Sequence, residues 1–215
     1  TVQDMGRVGF LSQAVPISGA MDTLSARMAN LAVGNPDTDA VIEFTYGNAS
    51  FKCDTDILIS YCGGGSILQT NNEELPAARA IFLKAGTIVN LKNTSYGVRS
   101  YLAVAGGWNV PMVLNSRSTY TPASFGGYKG RALKANDLLS GNKKLTKTSI
   151  QLLNDLKNSH SPCARWGIYE DLIKPKQQTR VRIVLGRESN WFDATSIVDF
   201  FSKTFTIDLK SNRMG

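Results

Sequence analysis

At 215 residues, 42% hydrophobic and 19% charged, the chain is large enough for one large or two small packed domains, and no apolar run approaches the ~20 residues that cross a membrane. Cys53, Cys62 and Cys163 make neither an even framework nor a C-x-x-C pair and, with the single His160, no zinc site, so no metal is expected and a reducing cytoplasm is the simplest home. The net charge of +7 is uneven, with 7 Lys/Arg against 9 Asp/Glu in residues 1–100 and 17 against 8 in residues 101–215, but the lysines are scattered without aromatic stacking platforms, which argues for an anion-handling cleft or an acidic partner over nucleic acid.

Taken in order, Thr1 to Gly9 sets Gln3, Asp4 and Arg7 among glycines before any regular element, a loop with something to hold. Pro16, Ser18 and Gly19 follow. Asp22 is a plausible N-cap for a helix with Leu24, Met28, Leu31 and Ala32 as its apolar stripe, ended by Gly34 and Asn35-Pro36. Arg27 and Asn30 fall beside that stripe, and Arg27 has two readings, a tie to a neighbouring loop or a ligand contact.

From Ala40 to Leu91 the pattern is β: AVIEFTYG, ASFKC, DILISYCGGGS and ARAIFLKAGTIVNL, each bounded by Gly, Asn or Asp. Short strands joined by turn residues argue for a barrel or sandwich. Gly63-Gly64-Gly65 lacks a following Lys-Ser/Thr and reads as a bulge or tight turn, not a phosphate loop. Glu43 alternates away from the apolar face, toward solvent or a cleft.

The most unusual chemistry lies in Gly97 to Leu139. A strand through Tyr101–Ala105 stops at Gly106-Gly107, and Ser116, Arg117, Ser118 and Thr119 then precede a second glycine cluster. The hydroxyls and the guanidinium suit a carboxylate, carboxyphosphate or phosphate; a turn satisfying its own backbone is the plainer reading. Between Asn142 and Thr179 the composition shifts to Lys, Asn, Ser and Pro, an inter-domain connection with a short helix near Ser149 to Leu156, packed down by Trp166, Ile168 and Tyr169. His160, in a polar turn, is solvated. VRIVLG then reads as a strand, Trp191-Phe192 as the start of an amphipathic helix to about Ser202, and FTIDL as another strand. This unit cannot bury a core alone, so the chain is expected to be a fragment trimmed at both ends.

TVQDMGRVG, VPISGAMDTLSARMANLAVGN, GVRSYLAVAGGWNVPMVLNSRSTY, FGGYKGRALKANDLL, VLGRESNWF and SNRMG, in this order and spacing, resemble the biotin-dependent carboxyltransferase family, which includes the C component of 5-oxoprolinase, KipA and allophanate hydrolase subunit 2. The resemblance implies a mainly β chain with few short helices and two cyclophilin-like β-barrel domains, the first over 1–142, a connection over 143–179 and the second begun at 180–215. It also implies a complex with a KipI-like partner, the B component, and a composite site at that contact. Ala14, Asn115 and Asn136 stand where the family pattern has Gly; the Asn changes are mild because Asn tolerates the left-handed conformation best after Gly.

The implied activity is that of the C component of an ATP-dependent 5-oxoprolinase complex, which opens 5-oxo-L-proline to L-glutamate with a KipI-like B component and a 5-oxoprolinase A component. One alternative is the carboxyltransferase component of urea carboxylase, related to allophanate hydrolase subunit 2, with biotin carried by a partner. The other is a KipA-type antagonist of a kinase inhibitor that does no chemistry. No Walker motif, biotinylation site or nucleophile–base pair is present, so no cofactor is expected to be held tightly by this chain, and ATP or biotin is a partner's contribution. A homo-oligomer is a further possibility. The site expected for a small-molecule substrate joins Asp4, Arg117, Ser118 and Thr119 as catalytic groups with Gln3, Arg7, Ser18, Asp22, Arg27 and Arg131 as binding groups. The competing reading makes Asp4 and Asp22 mere neutralisers of Arg7, Arg27 and Arg117 in a structural network.

Overall fold

The computed structural model describes residues 1–46, 48–71, 73–95, 97–169 and 180–206. The chain divides into two compact units, Thr1–Gln177 and Gln178–Gly215. In the first, β1 (Val2–Gln3), β2 (Val41–Thr45), β4 (Ile57–Cys62), β7 (Ile81–Leu83) and β9 (Arg99–Val104) form a five-stranded antiparallel sheet in the order β1-β2-β9-β4-β7. The strands β3 (Ala49–Lys52), β5 (Ser66–Thr70), β6 (Glu73–Glu74) and β8 (Ile88–Asn93) form a four-stranded antiparallel sheet in the order β3-β8-β5-β6.

The sheets face each other across one core, with Ile42, Ile59, Leu102 and Val104 from the first meeting Leu68, Val89 and Leu91 from the second. The opposite face of the five-stranded sheet, through Val41, Leu58, Cys62, Tyr101 and Ala103, packs on two helices, α1 (Thr23–Ala32) and α2 (Lys147–Lys157). Burial on both faces explains why β4 and β9 read as nearly continuous apolar runs while β8, covered on one face, alternates. The fold is mainly β, as expected, and takes the form of two facing sheets, with no strand paired between them among the described residues. The β5–β6 hairpin escapes a reading of the sequence, because SILQT and EE carry too little apolar alternation to stand out.

Asp22 caps α1, accepting from Ser25 N at 3.0 Å. The expected stripe is wrong in detail: Leu24 and Leu31 are 49% and 52% exposed, and the buried face is Ser25, Ala26, Met28, Ala29, Asn30 and Ala32. Small side chains let this helix lie close on the sheet, and larger ones on that face would hold it off. The Gly63–Gly65 segment is the β4–β5 turn, where a Cβ on Gly65 would meet the Arg99 amide nitrogen at 2.5 Å, so the turn reading holds.

The segment around α2 is built into the first unit. Thr146 Oγ1 and Ser149 Oγ donate to the carbonyls of Gly34 and Val33, each at 2.7 Å, and Pro162–Ala164 runs along the free edge of β7. Ile168 packs against this layer, but Trp166 and Tyr169, expected to do the same, are 50% and 66% exposed.

In the second unit the expected helix is α3 (Ala194–Ser202), capped by Asp193 and preceded by a 3-10 turn over Arg187–Trp191, so Trp191 and Phe192 lie before it and do not begin it. Among the described residues VRIVLG forms no strand, since residues 181–186 pair with no neighbour there. Most of FTIDL, residues 207–209, lies outside the described residues.

Candidate functional site

The first loop and the central loop, more than a hundred residues apart in sequence, meet. Strand β1 is hydrogen-bonded to β2 on one side, and on its other side the Thr119 amide and hydroxyl both donate to Val2 O at 2.9 Å. Gln3 Nε2 donates to Thr119 O at 3.2 Å. Asp4 sits at the crossing: its carboxylate accepts from Ser118 Oγ at 2.6 Å, Ser116 Oγ at 2.7 Å, the Gly6 amide at 2.8 Å and the Arg117 amide. Its own amide donates to Ser118 Oγ at 3.0 Å. One carboxylate therefore stitches both loops, and its charge suits so many donors.

Arg7 is fully buried, donating through Nη2 to Ser118 O at 2.5 Å and lying 4.8 Å from the Phe125 ring centroid. Burial pushes its pKa down and the nearby Asp4 charge opposes that shift. The glycine cluster makes room for this packing: a Cβ on Gly126 would stand 2.7 Å from Arg7 Nη2, at a φ of +70°. The Arg7 amide donates to Ile17 O and Ala20 N to Asp4 O, which sets Ser18, at φ +56°, beside this knot.

Gln3, Asp4, Arg7, Ser118 and Thr119 are thus one buried cluster, and most of their polar atoms are occupied by protein partners, Gln3 Oε1 and Arg7 Nη1 being buried without one. That arrangement builds a loop pair rather than a cavity lining, and for these residues it favours the network reading. The remaining binding candidates are placed elsewhere. Asp22 is spent on its cap and on Tyr101, whose hydroxyl accepts from the Asp22 amide at 2.7 Å. Arg27 makes an exposed ion pair with Asp37 at 3.5 Å, the loop tie of its two readings. Arg131 is held by Asp137 through two bonds of 2.6 and 2.7 Å within its own loop.

Arg117 is the exception. Only its backbone amide belongs to the cluster; its side chain is half-buried, with Nε sealed from solvent and without an acceptor. Burial raises the pKa of the half-buried Asp39, and the Arg117 charge opposes that shift. Sequence reasoning misses Asp39, which nothing in GNPDTDAV marks. Glu43, open between solvent and cleft in the sequence, is buried and accepts from Tyr101 Oη at 2.9 Å and Met21 N at 2.8 Å. Burial and then the Glu43 charge hold the Tyr101 hydroxyl well above its ordinary range. These two face each other on β2 and β9, a pairing visible only once register is known. Among the described residues no three metal-ligating side chains gather, and no helix is long and apolar enough to cross a membrane.

Ala14, Asn115 and Asn136 have φ of +60°, +59° and +68°, in the left-handed region that favours Gly. Residues 13–215 match the model of the carboxyltransferase domain, subdomain A and B, and the chain belongs to that family. Along its whole length it is 34% identical to the C component of 5-oxoprolinase from Escherichia coli, spanning 64% of that protein, and 34% identical to urea amidolyase of Saccharomyces cerevisiae, spanning 11% of it. The crystal structure of the K. lactis urea amidolyase superposes with a TM-score of 0.79 at 30% identity, over 99% of this chain and 13% of that one. The chain therefore spans less than two thirds of the length of these relatives.

Proposed function

We propose that this chain is the C component of an ATP-dependent 5-oxoprolinase, which opens the lactam of 5-oxo-L-proline to L-glutamate in a complex with a KipI-like B component and an A component. The observation that carries the reading is the 34% identity to the 5-oxoprolinase C component over the whole chain. An unactivated lactam resists water; phosphorylation of its oxygen by ATP makes the carbonyl carbon attackable, and charge then builds on oxygen. A cation aimed at that charge is worth ~3 kcal/mol. We assign that role to Arg117, a reading supported by the Asp4 clasp on its backbone amide, which leaves its guanidinium out of the clasp. ATP itself is assigned to the partners, and the working compartment is the cytoplasm.

A second reading, the carboxyltransferase step of urea carboxylation with biotin on a partner, is favoured by the equal identity to urea amidolyase and by the superposition on its crystal structure. The test is co-expression with the partner components followed by assay of glutamate released from 5-oxoproline and ATP. Glutamate formation supports the first reading. An intact complex that makes none, but decarboxylates carboxybiotin when urea is added, replaces it with the second.

A further inference from the structure

We propose that the first loop and the loop leading into Ser116 together present a face on which a second copy of this chain docks, apolar against apolar about a two-fold axis. This self-association does not depend on which reaction the chain serves.

The face is exposed, apolar and free of charge. Val8, Leu11 and Ile17 on the first loop are 75%, 63% and 41% exposed, and Met112 and Leu114 on the second are 56% and 39% exposed. The loops meet at Arg7, whose amide donates to Ile17 O at 2.7 Å and whose buried guanidinium donates to Val113 O at 3.5 Å and to Ser118 O at 2.5 Å. Val8 follows Arg7 in the chain, and Met112 and Leu114 flank Val113, so these side chains share one neighbourhood. Single exposed apolar residues are ordinary on a protein surface, whereas a cluster of them on adjoining loops marks a contact. No residue is charged from Val8 to Met21 or from Gly106 to Ser116, in a chain that is 19% charged overall, and the arginines that flank these stretches, Arg7 and Arg117, are buried and half-buried. Depletion of charge with exposed apolar side chains is the composition of an interface centre. The Asp4 and Arg7 bonds beneath already hold the loops in place, so docking orders little further chain. Charge selects the occupant. The chain carries +7, so two copies repel wherever their lysines and arginines meet, and near a two-fold axis each residue lies close to its own counterpart, where any charge would face its like. A face without charge avoids both costs. An acidic partner would be drawn instead to basic surface, and an anionic membrane to Lys and Arg interleaved with the apolar residues, neither of which these stretches offer.

The test is sedimentation velocity across a micromolar to millimolar series for the wild type, Val8→Glu, Met112→Glu and a control, Ile88→Glu, with circular dichroism to confirm that each variant is folded. Wild type should dimerise, and the dimer should hold or tighten as salt rises, because salt screens the repulsion between two +7 copies while no ion pair at the centre is weakened. Val8→Glu and Met112→Glu, one on each loop, should each raise the dimer dissociation constant by at least about tenfold. Ile88→Glu sets the same charge on a similarly exposed apolar residue, 53% exposed on β8 of the other sheet, and should leave the dimer as it is. A wild type that stays monomeric throughout overturns the proposal, as does a dimer that loosens with salt, that either loop variant leaves intact, or that Ile88→Glu disrupts equally. A monomeric wild type whose binding to the B component is lost in Val8→Glu gives the face to that partner and rules out the second copy.

Discussion

Asp4 and Asp137 are both carboxylates surrounded by donors, yet they hold different things. Asp4 is buried and gathers three of its four donors from residues 112 to 114 positions away, so it fastens one end of the chain to the middle. Asp137 takes the Arg131 fork and the Lys134 amide, all within six residues, and so shapes a single turn. What a hydrogen-bonded carboxylate stabilises depends less on its number of partners than on how much chain lies between them and how little water can replace them.

The sharpest way to break this contrast is Asp4→Ala. It strands two hydroxyls, two amides and the Arg7 charge in a buried place, and a loss of about 3–5 kcal/mol is expected. Chemical denaturation reads it directly; a loss below about 1 kcal/mol would mean that water fills the gap and the clasp is ornamental. Next is Arg117→Lys, which should leave the melting temperature near wild type because only the Arg117 backbone is in the clasp. Turnover by the assembled complex should fall by about a hundredfold, roughly 2.7 kcal/mol, through loss of the guanidinium geometry. A marked melting-temperature drop with proportionate activity would instead place Arg117 in the structural network.

Gly127→Ala tests the tightness of the same knot. The residue has φ +54°, and an added Cβ would collide with Thr119 Oγ1, so a loss of about 2 kcal/mol is expected from denaturation midpoints. Ala14→Gly should act the other way, stabilising by about 1 kcal/mol, since φ is +60° there and nothing in an alanine side chain compensates for it. The smallest effect belongs to Asp137→Asn. The Arg131 fork holds this carboxyl well below its ordinary range, so its contribution is present above the unfolded pKa and is lost as pH falls through the folded one. Melting curves of wild type and variant should therefore differ slightly at neutral pH and converge under strongly acidic conditions; divergence toward acid would reverse the sign.

Much of this is legible in the chain. The Asp22 cap, the turns at Gly63–Gly65 and Gly106-Gly107 and strands such as Ile57–Cys62 rest on local backbone preference and on apolar runs, which neighbours in sequence determine. The meeting of the first loop with Ser116–Thr119 is also within reach of the sequence. Its outcome is not, since hydroxyls, a carboxylate and guanidinium groups can line a cleft or saturate one another with the same residue types. The α1 stripe misleads for a related reason: Leu24 and Leu31 have helical spacing, but the sheet accepts the face with the smallest side chains.

The sequence by itself determined the family, the largely β character and the left-handed backbone at Asn115 and Asn136, because motif order and φ preference are written into consecutive residues. Only the tertiary structure decided that Arg7 is sealed behind Phe125, that Glu43 faces Tyr101 across a strand pair, and that Arg117 Nε is buried without an acceptor. Those outcomes depend on strand register and on which groups burial deprives of water, and both are properties of segments brought together from distant parts of the chain.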